Sequence, residues 1–136
     1  MSKPHILFVC GRNQWRSPTA ERVYRDDPRV QVKSVGVSVK SGRQISADDL
    51  SWANLVLVME PRYKSRILET FREHPNLPRI VSLDIPDDYQ FMDPELIELL
   101  CQGVEFHLKH EFGLEPPAPE KAGSATLRQR KERSGI

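Results

Sequence analysis

Residues 9–21 read VCGRNQWRSPTAE and place Cys10 and Arg16 six positions apart. The segment follows a short apolar run, residues 6–9, of the kind found in strands that are buried on both faces. Ser17 and Pro18 predict the start of a helix, because a serine hydroxyl can cap a free backbone N–H and proline suits the first helical turn. The sequence therefore predicts a strand that ends at Cys10, a loop that contains Arg16, and a helix that begins at Ser17 and Pro18.

Such a loop is a predicted anion site, because its backbone N–H groups converge in front of the positive end of a helix dipole. In that field, and beside the Arg16 guanidinium, the Cys10 thiol is expected to ionise. Arg16 offers a planar fork of donors that can hold two oxygens of one phosphate group. The Ser17 hydroxyl can stabilise the sulfur as nucleophile and later as leaving group. One short loop could thus bind a phosphate group, attack it and release it.

These residues resemble the signature of the low-molecular-weight protein tyrosine phosphatases, which is a cysteine, five residues and ArgSer near the N-terminus, followed by Pro and AlaGlu. The matching residues are Cys10, Asn13, Arg16, Ser17, Pro18, Ala20 and Glu21. The resemblance covers residues 3–112 and implies a three-layer α/β/α fold with a central, mostly parallel four-stranded sheet. It also implies that the loop binds inorganic phosphate or another oxyanion. The substrate-binding residues expected from it are Gly11, Arg12, Asn13, Gln14 and Trp15.

Members of that family use an aspartic acid as general acid, in a segment where proline and an aromatic residue follow it. The candidate segment here is LDIPDDY, residues 83–89. Alignment on the apolar and aromatic positions matches Asp87 to the acid and Tyr89 to the aromatic residue that walls the pocket. Asp88 takes the position of the proline and remains the alternative acid. The other interpretation of the segment is a polar surface turn, since Asp and Pro are ordinary turn formers.

Two loop positions differ from the family pattern, and a third position matches a family residue that supports the loop. Arg12 stands where the family has glycine, and Trp15 stands where many members have a second cysteine that protects the first, so that redox switch is not expected. Trp15 either lines the entrance of the pocket or packs on the neighbouring helix. Ser34 matches a serine that hydrogen-bonds the loop asparagine, here Asn13, although it could also be a polar residue at a strand end. The segment after Ser34 is short, which leaves a preference for phosphotyrosine open.

Further strands and helices follow from local patterns. Apolar runs predict strands at residues 30–37, 55–59 and 80–83. Helices are predicted to begin after Ser46, where Asp49 completes a capping-box pattern, at Pro61, and at Pro94, with Asp93 as its N-cap. Alternating strands and helices predict a parallel sheet covered on both faces, with the loop at the carboxyl end of the first strand.

The last helix is expected to run from Pro94 to about Phe112. Helical spacing places one set of apolar residues on its buried face: Ile97, Leu100, Cys101, Val104 and Leu108. Cys101 is therefore predicted to be a core residue and not a redox partner of Cys10.

Composition limits the remaining possibilities. The 136 residues, 38% of them hydrophobic and 29% charged, are enough for one domain, predicted over residues 1–113. Residues 114–136 are rich in Pro and basic residues and are predicted to be a disordered tail. A net charge of +1 gives no overall attraction to nucleic acid or to membranes.

Location and cofactors are expectations of the same kind. The chain has no apolar run of about 20 residues and no signal-peptide pattern, so we expect a cytoplasmic protein. The two cysteines and four histidines show no metal-ligand spacing. We expect a monomer with no metal, no other cofactor and no disulfide.

The sequence thus predicts a phosphomonoester hydrolase that acts on a phosphorylated protein or on a small phosphomonoester through a cysteinyl-phosphate. Its expected catalytic residues are Cys10, Arg16, Ser17 and Asp87. Three alternatives remain open: a non-catalytic module that binds phosphorylated ligands, a thiol enzyme resembling arsenate reductases, and a phosphocysteine carrier. Arsenate reductases usually relay electrons through additional cysteines, and phosphocysteine carriers do not require an arginine at the position of Arg16.

Overall fold

The structure is a computed structural model that describes residues 3–116. Strands and helices alternate along this part of the chain: β1 (His5–Cys10), α1 (Arg16–Tyr24), β2 (Gln31–Gly36), α2 (Ala47–Trp52), β3 (Leu55–Val58), α3 (Pro61–Thr70), β4 (Arg79–Ser82) and α4 (Pro94–Phe112). The predicted tail lies outside the described residues from position 117 onward.

The four described strands form one parallel sheet in the order β2-β1-β3-β4. From the centre, β1-α1-β2 steps toward one edge of the sheet and β3-α3-β4 steps toward the other. Because such crossovers are right-handed, α1 and α3 lie on opposite faces, which confirms the predicted three-layer α/β/α fold. The direction of the connections reverses between β1 and β3, and open α/β sheets bind ligands at this reversal, beyond the carboxyl ends of the strands.

The two central strands form the core of the sheet. Residues 6–9 of β1 and all of β3 are fully buried. Burying one such aliphatic side chain stabilises the fold by roughly 1.5–3 kcal/mol. Both strands read as continuous apolar runs because helices cover both of their faces. All four predicted strands are confirmed, with ends that differ from the prediction by at most one residue.

Helix starts follow the predicted signals at two of the short helices. At α2, the Ser46 hydroxyl accepts from the Asp49 backbone N–H, and the Asp49 carboxylate accepts from the Ser46 N–H. Pro61 is the first residue of α3, as predicted. At α1 the expected cap is wrong: the helix already begins at Arg16, and Ser17 lies in its first turn without capping it. The Ser17 hydroxyl is instead turned toward Cys10 at the end of β1.

The helix α4 has the predicted bounds, and the Asp93 carboxylate accepts from the Glu95 backbone N–H at 2.9 Å. The chain divides into two compact units between Val104 and Glu105, within this helix. The first unit contains the sheet, α1 to α3 and the beginning of α4. The buried residues of α4 in that unit are Leu96, Ile97, Leu100 and Val104.

Cys101 is half-buried, so its predicted core position is only partly correct. Leu96, which was not among the residues predicted for the buried face, is fully buried. Neither Cys10 nor Cys101 is part of a disulfide. In the second unit Leu108 is buried, as predicted. Within the described part of the chain, no helix combines the length and the apolar character that a membrane crossing requires.

Candidate active site

A cavity of about 290 Å³ opens beyond the carboxyl end of β1. The loop between β1 and α1 contributes most of its wall: Cys10, Gly11, Arg12, Gln14, Trp15 and Arg16. The rest comes from the segment after β2, from α3 and from the loop after β4: Val37, Ser38, Arg62, Tyr63, Arg66 and Asp87. Residues far apart in sequence meet here because the parallel strands all end at this edge of the sheet.

Cys10 is the last residue of β1 and is buried, with 3% of its surface exposed. Its Sγ lies 2.9 Å from the Ser17 Oγ. That Oγ can also donate to the Val35 carbonyl oxygen at 3.3 Å, and it accepts from Asn13 Nδ2 at 3.1 Å. A hydroxyl has one proton to donate, so a charged sulfur would draw it from Val35 to Cys10.

Asn13 connects the loop to β2. Its backbone is left-handed, with φ of 56°, a conformation in which asparagine is several-fold enriched. Its Nδ2 donates to the hydroxyls of Ser17 and Ser34, both at 3.1 Å, and Ser34 in turn donates to the Glu21 carboxylate. Asn13 therefore does not face the cavity but holds the loop from behind, and Ser34 occupies the supporting position that the resemblance implied.

Arg16 is buried, with 3% of its side chain exposed. Its Nη1 donates to the Glu60 carboxylate at 2.5 Å and to the Ile85 carbonyl oxygen at 2.7 Å, and its Nη2 donates to the Tyr63 hydroxyl at 2.9 Å. Burial alone would lower the pKa of Arg16, but the hydrogen bond with Glu60 and the proximity of Tyr63 outweigh it and raise that pKa. Of five N–H groups, the Nε proton and one Nη2 proton remain for a ligand.

Glu60 is a site residue that the sequence analysis missed. It follows β3 by two residues, and its carboxylate accepts from Arg16, from Arg62 Nε at 2.9 Å and from the Tyr63 hydroxyl at 3.4 Å. Burial would raise the pKa of Glu60, but the hydrogen bonds from the two arginines outweigh it and lower that pKa. An available signal was its place at the end of an apolar run, directly before the helix start at Pro61.

Of the two candidate acids, Asp87 lies at the cavity. Its Oδ1 is 3.6 Å from Arg16 Nε, and 55% of its side chain is exposed. Asp88 is exposed and is not part of the cavity wall. Tyr89 does not line the cavity either, because its hydroxyl donates to the Glu95 carboxylate at 3.2 Å. The structure thus brings Asp87, but neither of its two following neighbours, together with Cys10 and Arg16.

The remaining loop residues form the rim. Arg12 and Gln14 are exposed, and Trp15 lines the cavity with 40% of its surface exposed. Gly11 lies against Tyr63, since a Cβ at this position would be 3.0 Å from the Tyr63 hydroxyl. Over residues 3–116, no group of three or more His, Cys, Asp or Glu side chains is arranged to hold a metal ion.

Solved structures that are similar to this chain include tyrosine phosphatases and an arginine phosphatase. SP-PTP, a low-molecular-weight protein tyrosine phosphatase from Streptococcus pyogenes, matches 80% of this chain over 93% of its own, with a TM-score of 0.66 and 19% identity. The tyrosine phosphatase Wzb from Escherichia coli K30, in complex with phosphate, matches 81% of this chain over 99% of its own (TM-score 0.64, 22% identity).

The arginine phosphatase YwlE from Geobacillus stearothermophilus matches 85% of this chain over 99% of its own, with a TM-score of 0.58 and 24% identity. No protein-family model and no curated protein sequence matches the chain. The fold is therefore that of the low-molecular-weight protein tyrosine phosphatases, as the resemblance in residues 9–21 implied.

Proposed function

We propose that the protein is a phosphomonoester hydrolase that works through a cysteinyl-phosphate intermediate. The observation that carries this proposal is that Cys10, Arg16 and Asp87 line one cavity at the reversal point of the sheet. These are a nucleophile, a bidentate phosphate ligand and an acid, the three groups that the reaction needs. The described residues that surround them offer no metal site that could replace one of these groups.

In the first step the Cys10 thiolate attacks phosphorus on the side opposite the leaving group. The sulfur–phosphorus bond forms while the phosphorus–oxygen bond of the ester breaks, and protonated Asp87 gives its proton to the departing oxygen. The equatorial oxygens are held by backbone N–H groups of the loop and by the free Nε and Nη2 protons of Arg16. In this structure the Arg16 Nε–H group lies beside Asp87. A bound phosphoryl group would accept a hydrogen bond from that Nε–H group.

In the second step water cleaves the intermediate. The Asp87 carboxylate takes a proton from the water, the water oxygen attacks phosphorus, and the phosphorus–sulfur bond breaks. The sulfur leaves as a thiolate, which the Ser17 hydroxyl at 2.9 Å stabilises. Inorganic phosphate is then the product, and Cys10 and Asp87 return to their starting forms.

The proposal names no single substrate, because the structural neighbours differ in what they act on. They include tyrosine phosphatases and an arginine phosphatase. An oxygen leaving group fits the proposed acid, which protonates an alkoxide or phenolate as it departs. The cytoplasmic location, the monomeric state and the absence of cofactors remain predictions.

The test is vanadate-sensitive hydrolysis of para-nitrophenyl phosphate by the purified full chain. We expect no turnover in Cys10→Ser and a loss of about 10²- to 10⁴-fold in kcat for Asp87→Asn, the usual contribution of positioned acid catalysis. Asp88→Asn is the matched control, since it removes the same charge from the adjacent, exposed residue, and it should retain wild-type kcat.

Normal turnover in Cys10→Ser would overturn the mechanism. A folded wild-type protein that binds phosphate without any turnover would identify a non-catalytic phosphate-binding module instead. A large loss in Asp88→Asn, with Asp87→Asn unaffected, would move the role of the acid by one residue.

A further inference from the structure

The cavity carries more positive charge than the proposed reaction uses. Arg16 is buried and bound to Glu60, and Arg62 Nε donates to the same carboxylate. Two more arginines, Arg12 and Arg66, line the cavity and are exposed. Among residues 3–116, no carboxylate lies within ion-pair distance of either of them. Within this part of the chain, their charge is therefore available to a ligand.

These two arginines come from separate elements and converge on one opening. Arg12 lies in the loop after β1, whereas Arg66 lies in α3. Arg62 and Arg66 are four positions apart on one face of α3, a spacing at which like charges destabilise a helix. The Glu60 carboxylate offsets this repulsion at Arg62, whereas no carboxylate of residues 3–116 lies within ion-pair distance of Arg66. An anion beside Arg66 would therefore reduce an unfavourable interaction as well as add a favourable one.

The size of the cavity fixes where such an anion would lie. About 290 Å³ is at the lower limit of ordinary ligand cavities, enough for a phosphoryl group and a small leaving group. The buried Arg16 holds the phosphoryl group at the bottom. Because Arg12 and Arg66 are exposed whereas Arg16 is buried, we expect them to contact the part of the substrate that extends beyond the ester oxygen.

We propose that the substrate carries a second anionic group, a carboxylate or a further phosphate, which Arg12 and Arg66 bind at the rim of the cavity. This inference rests on the proposed function, because it assigns the substrate class of the same site. Two sources would supply the chemistry: an acidic side chain next to the phosphorylated residue of a protein, or the second acidic group of a small phosphomonoester.

The first experiment compares substrates that differ in the second anion alone. The small pair is 4-(carboxymethyl)phenyl phosphate and 4-ethylphenyl phosphate, and the peptide pair is a phosphotyrosine peptide with Glu or with Gln beside the phosphotyrosine. For wild type we expect kcat/KM to be about tenfold higher on the anionic member of at least one pair, through KM, as one charge-assisted contact provides. Which pair shows it identifies the source.

The variants Arg12→Gln and Arg66→Gln should each reduce this ratio several-fold, and the double variant should bring it close to one. Arg72→Gln is the matched control, since it removes the same charge from an exposed residue that does not line the cavity, and it should keep the wild-type ratio. The ratio should also fall as salt rises from about 0.05 to 0.3 M, because exposed charges are screened. A ratio near one in wild type, or an unchanged ratio in the double variant, overturns the inference.

A binding measurement separates this inference from the proposed function. Calorimetric titration of the wild-type chain with benzylphosphonate and with 4-(carboxymethyl)benzylphosphonate requires no turnover. Hydrolysis without any preference for the anionic substrates would support the phosphatase function and exclude the second anion site. Tighter binding of the carboxylated phosphonate, with no hydrolysis of the esters, would support the second anion site and exclude the hydrolase function. A chain that neither hydrolyses the esters nor binds the phosphonates overturns both.

Discussion

At the scale of single residues, Glu60 determines how Arg16 is presented to a ligand. The side chain of Arg16 could adopt many conformations, and burial in one of them requires partners for its charge. Glu60 and the Ile85 carbonyl oxygen take both Nη1 protons, and Tyr63 takes one Nη2 proton. The Nε proton and one Nη2 proton are left, and Nε lies 3.6 Å from Asp87 Oδ1 at the cavity. In the proposed reaction Glu60 would therefore act through Arg16 without touching the substrate.

We therefore expect Glu60→Gln to lower kcat/KM for para-nitrophenyl phosphate by about 10- to 100-fold, because a misplaced phosphate ligand costs rate at this scale. The protein should also lose about 1–3 kcal/mol of unfolding free energy, since Arg16 stays buried with a weaker partner. Steady-state kinetics and urea unfolding measure the two effects. Glu69→Gln, the same change at an exposed residue of α3, is the control. Wild-type kcat/KM in Glu60→Gln would exclude this role.

The sequence could predict those site residues that lie close together in the chain. Cys10, Arg16 and Ser17 belong to one strand–loop–helix segment, in which the spacing itself describes the geometry. Glu60 is 44 positions from Arg16, and no local pattern couples the two. Alignment matched Asp87 to the acid and kept Asp88 as the alternative, but which of the two lines the cavity is seen only in the structure, because spacing does not determine where adjacent residues of an irregular loop point.

At the scale of elements, the loop after β1 is packed tightly against the end of β2. Gly36 pairs with Cys10, and Gly11 and Asn13 approach it closely. A Cβ at position 36 would lie 2.1 Å from the Ser41 Oγ and 2.8 Å from both the Asn13 backbone nitrogen and the Gly11 carbonyl oxygen. Two of these three atoms are backbone, so the loop itself would have to move.

We expect Gly36→Ala to cost about 1–3 kcal/mol of unfolding free energy, the usual range for overpacking, and to weaken phosphate binding by at least about tenfold. The loop amides would no longer converge on one point. Gly42→Ala is the matched control, because a Cβ there meets nothing within 4 Å. Thermal unfolding and phosphate titration test both variants. Equal phosphate affinity in Gly36→Ala and wild type would show that the loop tolerates this contact.

The elements themselves were predictable where burial fixes the pattern. Strands covered on both faces appear as apolar runs, and proline or a capping box marks the starts of α2 and α3. The start of α1 was displaced because Ser17, an ordinary capping residue, has other partners in Cys10 and Asn13. The capping propensity of Ser17 is therefore overridden by hydrogen bonds with residues of the loop and of β1. A local sequence pattern does not reveal such contacts.

At the scale of the whole described chain, two ionised carboxylates form ion pairs, one between distant segments and one within a turn. Glu60 joins α1 to the start of α3 through Arg16. Asp27, in the turn between α1 and β2, accepts from Arg29 Nε at 3.0 Å and from its Nη2 at 2.8 Å. Burial would raise the pKa of Asp27, but these hydrogen bonds outweigh it and lower that pKa, as they do for Glu60.

Lowered pKa values make stability depend on acid in a defined direction. Because the unfolded forms of Asp27 and Glu60 take up protons at higher pH than the folded forms, their contribution is complete above about pH 4.5 and is lost as pH falls through the folded pKa values. Each group can add a slope of at most about 1.4 kcal/mol per pH unit, so the two together can add about 2.8 kcal/mol per pH unit. The free energy of unfolding should therefore fall steeply below about pH 4.5.

Urea unfolding of the full chain between about pH 3 and 7 measures this slope. The double variant Asp27→Asn with Glu60→Gln should be less stable than wild type at pH 7, and the difference should shrink as pH falls, because protonation removes the same charges from wild type. Asp26→Asn with Glu69→Gln makes the same charge change at exposed residues and should keep the steep slope. If the curves of wild type and the Asp27/Glu60 variant stay parallel, other carboxylates control the acid unfolding, and these two ion pairs do not determine the acid limit of the fold.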